Sequence, residues 1–241
     1  MEFVDQVAVI AGASSGIGRA IAFALADHGA NLYLIGRDEK KLPTIVDTVN
    51  ENQKIIACQA DLTCSEDVQR VCEDIKRRFN KVDILIHSLG SIALGSMDSA
   101  DLADLDLQFT VNVKAPYMFT KGLLPLIISS QGQIVFMNSS SGVQNGRAQL
   151  GQYSATKHAL KAVADSLREE VNPDGVRVLS VYPGRTATSM QKAIYRMEER
   201  DYHPERLLQP DDIASMVIAA LSLPGTAEVT DIHIRPMIKN G

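Results

Sequence analysis

Val7-Ala8-Val9-Ile10-Ala11 is an uninterrupted apolar run, Gly12-Ala13-Ser14-Ser15-Gly16-Ile17-Gly18 is a glycine-rich turn, and Ala20-Ile21-Ala22-Phe23-Ala24-Leu25 is a strong helix former. A short strand that is apolar at every position must be covered on both faces, and a helix that follows it directly opens a βαβ unit. The same alternation continues outward from this stretch. Apolar runs recur at Asn31 to Ile35, Lys54 to Cys58, Ile84 to Ile86, Gln133 to Met137, Val176 to Val181 and Asp231 to Ile234, with helix-length segments between them. The class that follows is α/β, a doubly wound parallel sheet with helices on both faces. No composition shift marks a second domain, so residues 1–241 are read as one unit.

Composition excludes several other classes. Of 241 residues, 45% are hydrophobic and 22% charged, which rules out disorder and coiled coil. Twenty-four Lys and Arg against 29 Asp and Glu leave a net charge of −5, which gives no electrostatic reason to expect a nucleic acid or an anionic membrane as partner. No apolar run approaches the roughly 18 residues of a membrane span. Met1-Glu2-Phe3-Val4-Asp5 lacks a basic stretch ahead of an apolar one, so a cytoplasmic location is expected. Cys58, Cys64 and Cys72 are odd in number and lack zinc spacing, which predicts reduced, partly buried thiols.

Two polar stretches interrupt the rhythm. Ser139 to Gln152, with Gly142, Asn145, Gly146 and Gly151, follows a strand and so belongs at the carboxyl edge of the sheet, where open α/β sheets bind ligands. Thr186 to Gln209 reads as charged helices inserted after another strand, a candidate substrate lid over 186–209. Its mix of Met190, Ile194, Tyr195 and Met197 with Arg196, Glu198, Glu199 and Arg200 names no particular compound.

The turn from Gly12 to Gly18 sits between a strand and a helix, the context that a dinucleotide fingerprint requires. Absent side chains at Gly12, Gly16 and Gly18 let the backbone approach a pyrophosphate, while Ser14, Ser15 and Ile17 lie over the helix N-terminus and its positive dipole end. The second strand ends Leu34-Ile35-Gly36-Arg37-Asp38. An NAD site needs an acid there for the ribose hydroxyls. Here the acid is missing and Arg37 supplies a fork suited to a 2′-phosphate, so NADP(H) is the expected cofactor; the competing reading pairs Arg37 with Asp38 or Glu39.

Tyr153 and Lys157 are four residues apart at the start of a predicted helix and share one face. A nearby ammonium favours tyrosinate and brings a phenol toward use as an acid or base. Together, Gly12-x-x-x-Gly16-x-Gly18, Asp61, Asn112 within Val111-Asn112-Val113-Lys114-Ala115, the serines 139 to 141, Tyr153-x-x-x-Lys157 and Pro183-Gly184 resemble the classical short-chain dehydrogenase/reductases over nearly the whole chain.

That resemblance implies a Rossmann fold with a seven-stranded parallel sheet and an Asn112, Ser139, Tyr153, Lys157 catalytic set. Tyr153 would move the proton, Lys157 would hold the nicotinamide ribose and depress the tyrosine, Asn112 would anchor a relay water, and a serine would bond the substrate oxygen. Position along the strand favours Ser139, and spacing back from Tyr153 gives Ser140. Asp61 and Leu62 would flank the adenine, Ser88 and Gly90 the adenosine side, and Pro183, Gly184, Thr186 and Thr188 the nicotinamide carboxamide. Arg185 is open to two readings, contact with an anionic substrate or a surface or interface arginine. The family also implies a homodimer or homotetramer built through the helices that follow Asn112 and Tyr153.

Two motifs depart from the family. Ala11 stands where threonine is usual, losing a hydroxyl that tethers the turn. His87-Ser88-Leu89-Gly90 replaces Asn-Asn-Ala-Gly, and His87 is expected to be a partly buried strand-end histidine. The function implied is NADP(H)-dependent hydride transfer to or from the carbonyl or alcohol carbon of a small molecule. The altered motifs leave a second reading, an NADP(H)-binding sensor with little turnover, and an epimerase or dehydratase is a third.

Overall fold

A computed structural model describes residues 2–42, 53–144 and 146–238. Asn145 of the glycine-rich loop lies outside them. The strands are β1 (Val7–Ala11), β2 (Asn31–Gly36), β3 (Ile55–Gln59), β4 (Ile84–His87), β5 (Gln133–Met137), β6 (Arg177–Pro183) and β7 (Asp231–Ile234). They form one parallel sheet in the order β3-β2-β1-β4-β5-β6-β7. Chain order reverses at β1, so the crevice beyond the carboxyl ends of β1 and β4 is the switch point where such sheets bind ligands.

Strand periodicity divides the core into two layers. Ile10, Leu32, Leu34, Ile84 and Ile86 face α1 (Gly16–Asp27), and Val9, Tyr33, Ile35 and Leu85 face the opposite side. On that second side pack α2 (Ser65–Phe79), α4 (Ala115–Ser129) and α5 (Gly151–Val171), through Val71, Ile75, Phe119, Leu123 and Leu160. Helix α7 (Pro210–Leu221) joins α1 on the first side through Ile213, Val217 and Leu221. The remaining helices of the described residues are α3 (Leu102–Phe109) and α6 (Ser189–Met197). A π-helical turn, Thr110–Lys114, joins α3 to α4. No helix of the described residues is long and apolar enough to cross a membrane, and Cys58, Cys64 and Cys72 are free thiols.

The glycine turn is held by backbone alone. Gly12 and Ala13 both donate to the Ile35 carbonyl, at 2.9 and 3.0 Å, so the tether expected to be lost with the Ala11 hydroxyl is supplied by the main chain of β2. Gly12 has φ +89°, and a Cβ there would stand 2.6 Å from the Ser88 carbonyl oxygen; one on Gly18 would stand 2.3 Å from the Gly12 oxygen. Neither obstacle is a side chain that could swing away. Gly18→Ala should therefore lower the unfolding free energy by about 1–3 kcal/mol, read as a lower urea midpoint at unchanged slope. An unchanged midpoint would mean that the turn is not packed this closely.

Candidate active site

A cleft of about 620 Å³ opens along the carboxyl edge of the sheet, lined by the segments that follow β1 through β6. Every residue predicted for the site lines it except Gly18 and Asn112. Its two ends have different chemistry.

At one end lie the glycine turn, Arg37 and Asp61. Ser15, the residue before α1, makes no side-chain cap, so the first N–H groups of that helix are left to face an anion. A cradle that any Cβ would fill, at the positive end of a helix, fits a dinucleotide pyrophosphate. A Cβ on Gly36 would stand 3.1 Å from the Ser14 Cβ, so the place of the missing acid is crowded by the turn itself. Arg37 is exposed, and its guanidinium has no partner among the described residues. The pairing with Asp38 is not made. That carboxylate binds Lys41 at 2.8 Å and accepts from the Lys40 amide. Asp61 spends one oxygen on the Thr63 amide and hydroxyl, at 3.0 and 2.7 Å, which fixes the turn that presents Leu62.

At the other end, the first turns of α5 place Tyr153 and Lys157 on one face. Lys157 is 2% exposed and its Nζ donates to the Met137 carbonyl at 3.1 Å. Burial penalises its charged form and brings its pKa down to about 8. The ammonium stands 5.8 Å from the centre of the Tyr153 ring. The expected depression of the phenol is not what this arrangement gives: burial raises the Tyr153 pKa, and the pull in the other direction comes from a hydrogen bond with Ser139. Tyr153 is thus protonated at neutral pH, ready to give a proton. The same bond separates the two candidate serines. Ser139, two residues beyond the end of β5, is the serine whose hydroxyl pulls on the phenol, whereas Ser140 opens the following turn, its carbonyl accepting from Val143 and Gln144.

Asn112 lies behind the cleft. It occupies the π-helical turn, 1% exposed, where its Oδ1 accepts from the Ser91 amide at 2.8 Å. Its Nδ2 donates to the Ser91 carbonyl and to Thr156 Oγ1, each at 2.9 Å. Thr156 Oγ1 donates in turn to the Tyr153 carbonyl at 2.8 Å. This chain ties the segment after β4 to the turn that carries Tyr153. Both amide protons are committed, so Asn112 is placed to position its neighbours. His87 is wholly rather than partly buried: it stacks on Phe136 with centroids 4.9 Å apart, and its Nε2 meets Thr120 Oγ1 at 2.7 Å. Burial takes its pKa down to about 3, so it is a neutral core residue.

The segment after β6 is pinned at both ends. Ala187 donates to the Leu208 carbonyl at 2.7 Å and Leu208 to that of Arg185 at 3.1 Å. Thr186 Oγ1 donates to the Gly184 carbonyl, and Thr188 caps α6 by accepting from the Gln191 amide. Arg185 is not on the surface. Its side chain is 17% exposed, lies over the Tyr195 ring and pairs with Glu198 in the cleft wall.

The sequence profile of the short chain dehydrogenases matches residues 6–199. The chain belongs to this family. An uncharacterized oxidoreductase of Staphylococcus saprophyticus is 32% identical over 240 residues, covering 98% of this chain and all of that one. Among solved structures, an alcohol dehydrogenase from the archaeon Thermococcus sibiricus, complexed with 5-hydroxy-NADP, is similar with a TM-score of 0.87 and 26% identity, over 98% of each chain. A metagenomic short-chain oxidoreductase in complex with NADP gives 0.83 and 27%, over 99% of this chain and all of that one. As a short chain dehydrogenase, the protein is an oxidoreductase that uses a nicotinamide cofactor on small molecules.

Asn138, Arg147 and the pairing role of Glu198 escaped the sequence reading. Asn138 is buried at the end of β5 and its Oδ1 accepts from the Ser139 amide at 2.9 Å, setting the serine's direction. Its place between an apolar strand and three serines was the available signal. Arg147 and Glu198 meet across 51 residues, and nothing local announces that.

In ¹³C/¹⁵N-lysine-labelled protein, with Lys157→Met for assignment, the Lys157 Nζ resonance should titrate near pH 8. Titration at an ordinary lysine value of about 10.4 would show that the group is better solvated than its burial here implies.

Proposed function

We propose that the protein is an NADPH-dependent carbonyl reductase, equally an NADP-dependent alcohol dehydrogenase. The observation that carries this reading is one cleft with Tyr153, Lys157 and Ser139 together at one end and, at the other, a glycine cradle beside an Arg37 whose guanidinium has no partner among the described residues. When bound, the nicotinamide would supply the hydride for the carbonyl carbon. Tyr153 delivers the proton to the oxygen, which becomes the hydroxyl, and Ser139 holds that oxygen by its own hydroxyl. Lys157 holds the ribose hydroxyls and replaces the lost phenolic proton electrostatically with its charge. Asn112 keeps Tyr153 in place through Thr156. Arg37 binds the 2′-phosphate, Gly12 through Gly18 the pyrophosphate, and Asp61 and Leu62 the adenine. Ser88 and Gly90 line the adenosine side, while Pro183, Gly184, Thr186 and Thr188 seat the carboxamide. Residues 186–209 close over the substrate as a lid, and residues 1–241 act as one domain.

The sensor reading draws on the loss of polar bracing at Ala11 and His87. The turn after Ala11 is braced by the Ile35 carbonyl, and His87 keeps Thr120 as the partner of Nε2 while its buried Nδ1 has none among the described residues; the sensor reading therefore keeps support only at His87. We further assign a homodimer or homotetramer, supported by exposed Leu102, Leu107, Phe109 and Tyr117 along α3 and α4. Its free thiols suit a cytoplasmic setting.

A panel of aldehydes and ketones should oxidise NADPH in preference to NADH, and Tyr153→Phe should lower kcat by about 10²–10⁴-fold; equal rates would remove Tyr153 from the chemistry. Ser139→Ala should cost at least tenfold more than Ser140→Ala. Arg37→Ala should raise KM for NADPH at least tenfold with little effect on NADH, and an unchanged ratio would remove Arg37 from the phosphate site. Reduction needs Lys157 charged and Tyr153 protonated, and both forms are lost as pH rises. Its kcat/KM should therefore be level below pH 7 and fall as pH rises through about 8; a rise across that interval would contradict the assignment.

A further inference from the structure

The wall of the cleft beside the proposed lid carries an excess of positive charge in a protein whose net charge is −5. Three arginines surround one carboxylate, that of Glu198. Arg185 Nη2 meets both Glu198 oxygens at 2.8 Å, Arg147 Nη2 meets one at 3.4 Å, and Arg200 Nη1 stands 3.7 Å from the other. The Glu198 side chain is 15% exposed, and it lines the cleft together with Arg147 and Arg185.

The Arg185 pair is a poor use of a guanidinium. A fork would offer two nitrogens to two oxygens, but here a single nitrogen spans both, and Nη1 is buried with no partner among the described residues. Glu198 also closes α6 at some cost to the backbone, because Glu199, the next residue, has φ +52°, the left-handed region that glycine normally fills at a helix end. The Arg185 backbone cannot yield easily, since its carbonyl accepts from Leu208. A strained helix end, an orphaned donor and a surplus of cations in one cleft wall describe an internal carboxylate occupying a place that an external one would fill better.

We propose that Glu198 is a stand-in for a carboxylate carried by the substrate, so that the preferred compounds are oxo acids or hydroxy acids. The incoming carboxylate displaces Glu198 from Arg185, engages both of its terminal nitrogens and is met by Arg147. Exchange of one carboxylate for another leaves the local charge balance of the guanidinium unchanged, and it frees Glu198 and Glu199 to relax toward solvent. Arg185 and Arg147 are then specificity-determining residues. This inference rests on the reductase reading for what happens to the carbonyl, although the anion site itself does not depend on turnover.

The test is calorimetric binding of 4-oxopentanoate, 5-oxohexanoate and 6-oxoheptanoate, each against its methyl ester, to NADP⁺-loaded and to free protein, followed by NADPH oxidation with the same compounds. At least one acid should bind tenfold or more tightly than its ester. That ratio should fall below threefold in Arg185→Met and in Arg147→Met, the latter a change at a side chain that is 56% exposed and dispensable to the core. Glu198→Gln, which removes the internal competitor, should widen the ratio at least threefold. Equal binding of acid and ester at all three lengths would overturn the proposal, as would weaker acid binding by Glu198→Gln. Selective acid binding without NADPH oxidation would support the anion site and sink the reductase reading, whereas ester reduction with no preference for the acid would do the reverse.

Discussion

Gly12 and Ala13 donate to one carbonyl, that of Ile35, and this shared acceptor sets the geometry on which the cleft depends. It brings the start of α1 against the end of β2, so the open helix N–H groups and Arg37 face the same space. Because β2 pairs with β1 residue by residue up to Ile35 opposite Ala11, the position of that carbonyl is fixed by the sheet itself. The carbonyl of Ser88 closes the turn from the other side, close enough to exclude any side chain at Gly12. Three strands thus hold a segment that has almost no side chains of its own, which is why the turn tolerates the loss of a threonine hydroxyl at Ala11.

The reacting end relies on burial. Lys157 is enclosed by the sheet edge and keeps one strong partner, the Met137 carbonyl, so its charge is held at a cost that lowers its pKa to about 8. The same enclosure raises Tyr153, and Ser139 offsets part of that rise. Both effects come from packing α5 against β6 and the turn after β5, and the polar bonds refine what the packing sets. His87 shows the opposite outcome of the same physics: with an aromatic ring stacked on it and one hydroxyl partner, it stays neutral.

The sheet was legible because strands buried on both faces leave continuous apolar runs; each of the seven runs became a strand, with boundaries moved by at most two residues. Tyr153, Lys157 and the glycines were legible because their spacing is local. Asn112 could be located but its work could not, since its partners Ser91 and Thr156 lie 21 and 44 residues away. The Arg185 and Glu198 pair was hidden for a related reason: a charged segment reads as solvated until the fold shows that it lines a cavity. The sequence also gives no sign that burial raises the Tyr153 pKa, because desolvation depends on everything packed around a group.

The π-helical turn at Thr110–Lys114 carries one residue more than an α-helical turn would, and its Asn112 is the residue turned inward. Each residue of an α-helix advances the face by about 100°. The wide turn absorbs its extra residue, so Phe119, Leu123 and Ile127 still face the sheet and Tyr117 still faces outward; a residue added or removed within α4 itself meets no such turn and would swing those three off the sheet. The α-helical part, Ala115–Ser129, is therefore length-locked, while the π turn ahead of it is the place where one residue can be gained or lost without turning that face. Any divergence of substrate preference by change of loop length is left to the segments after β5 and β6, where no helix face has to be kept in register.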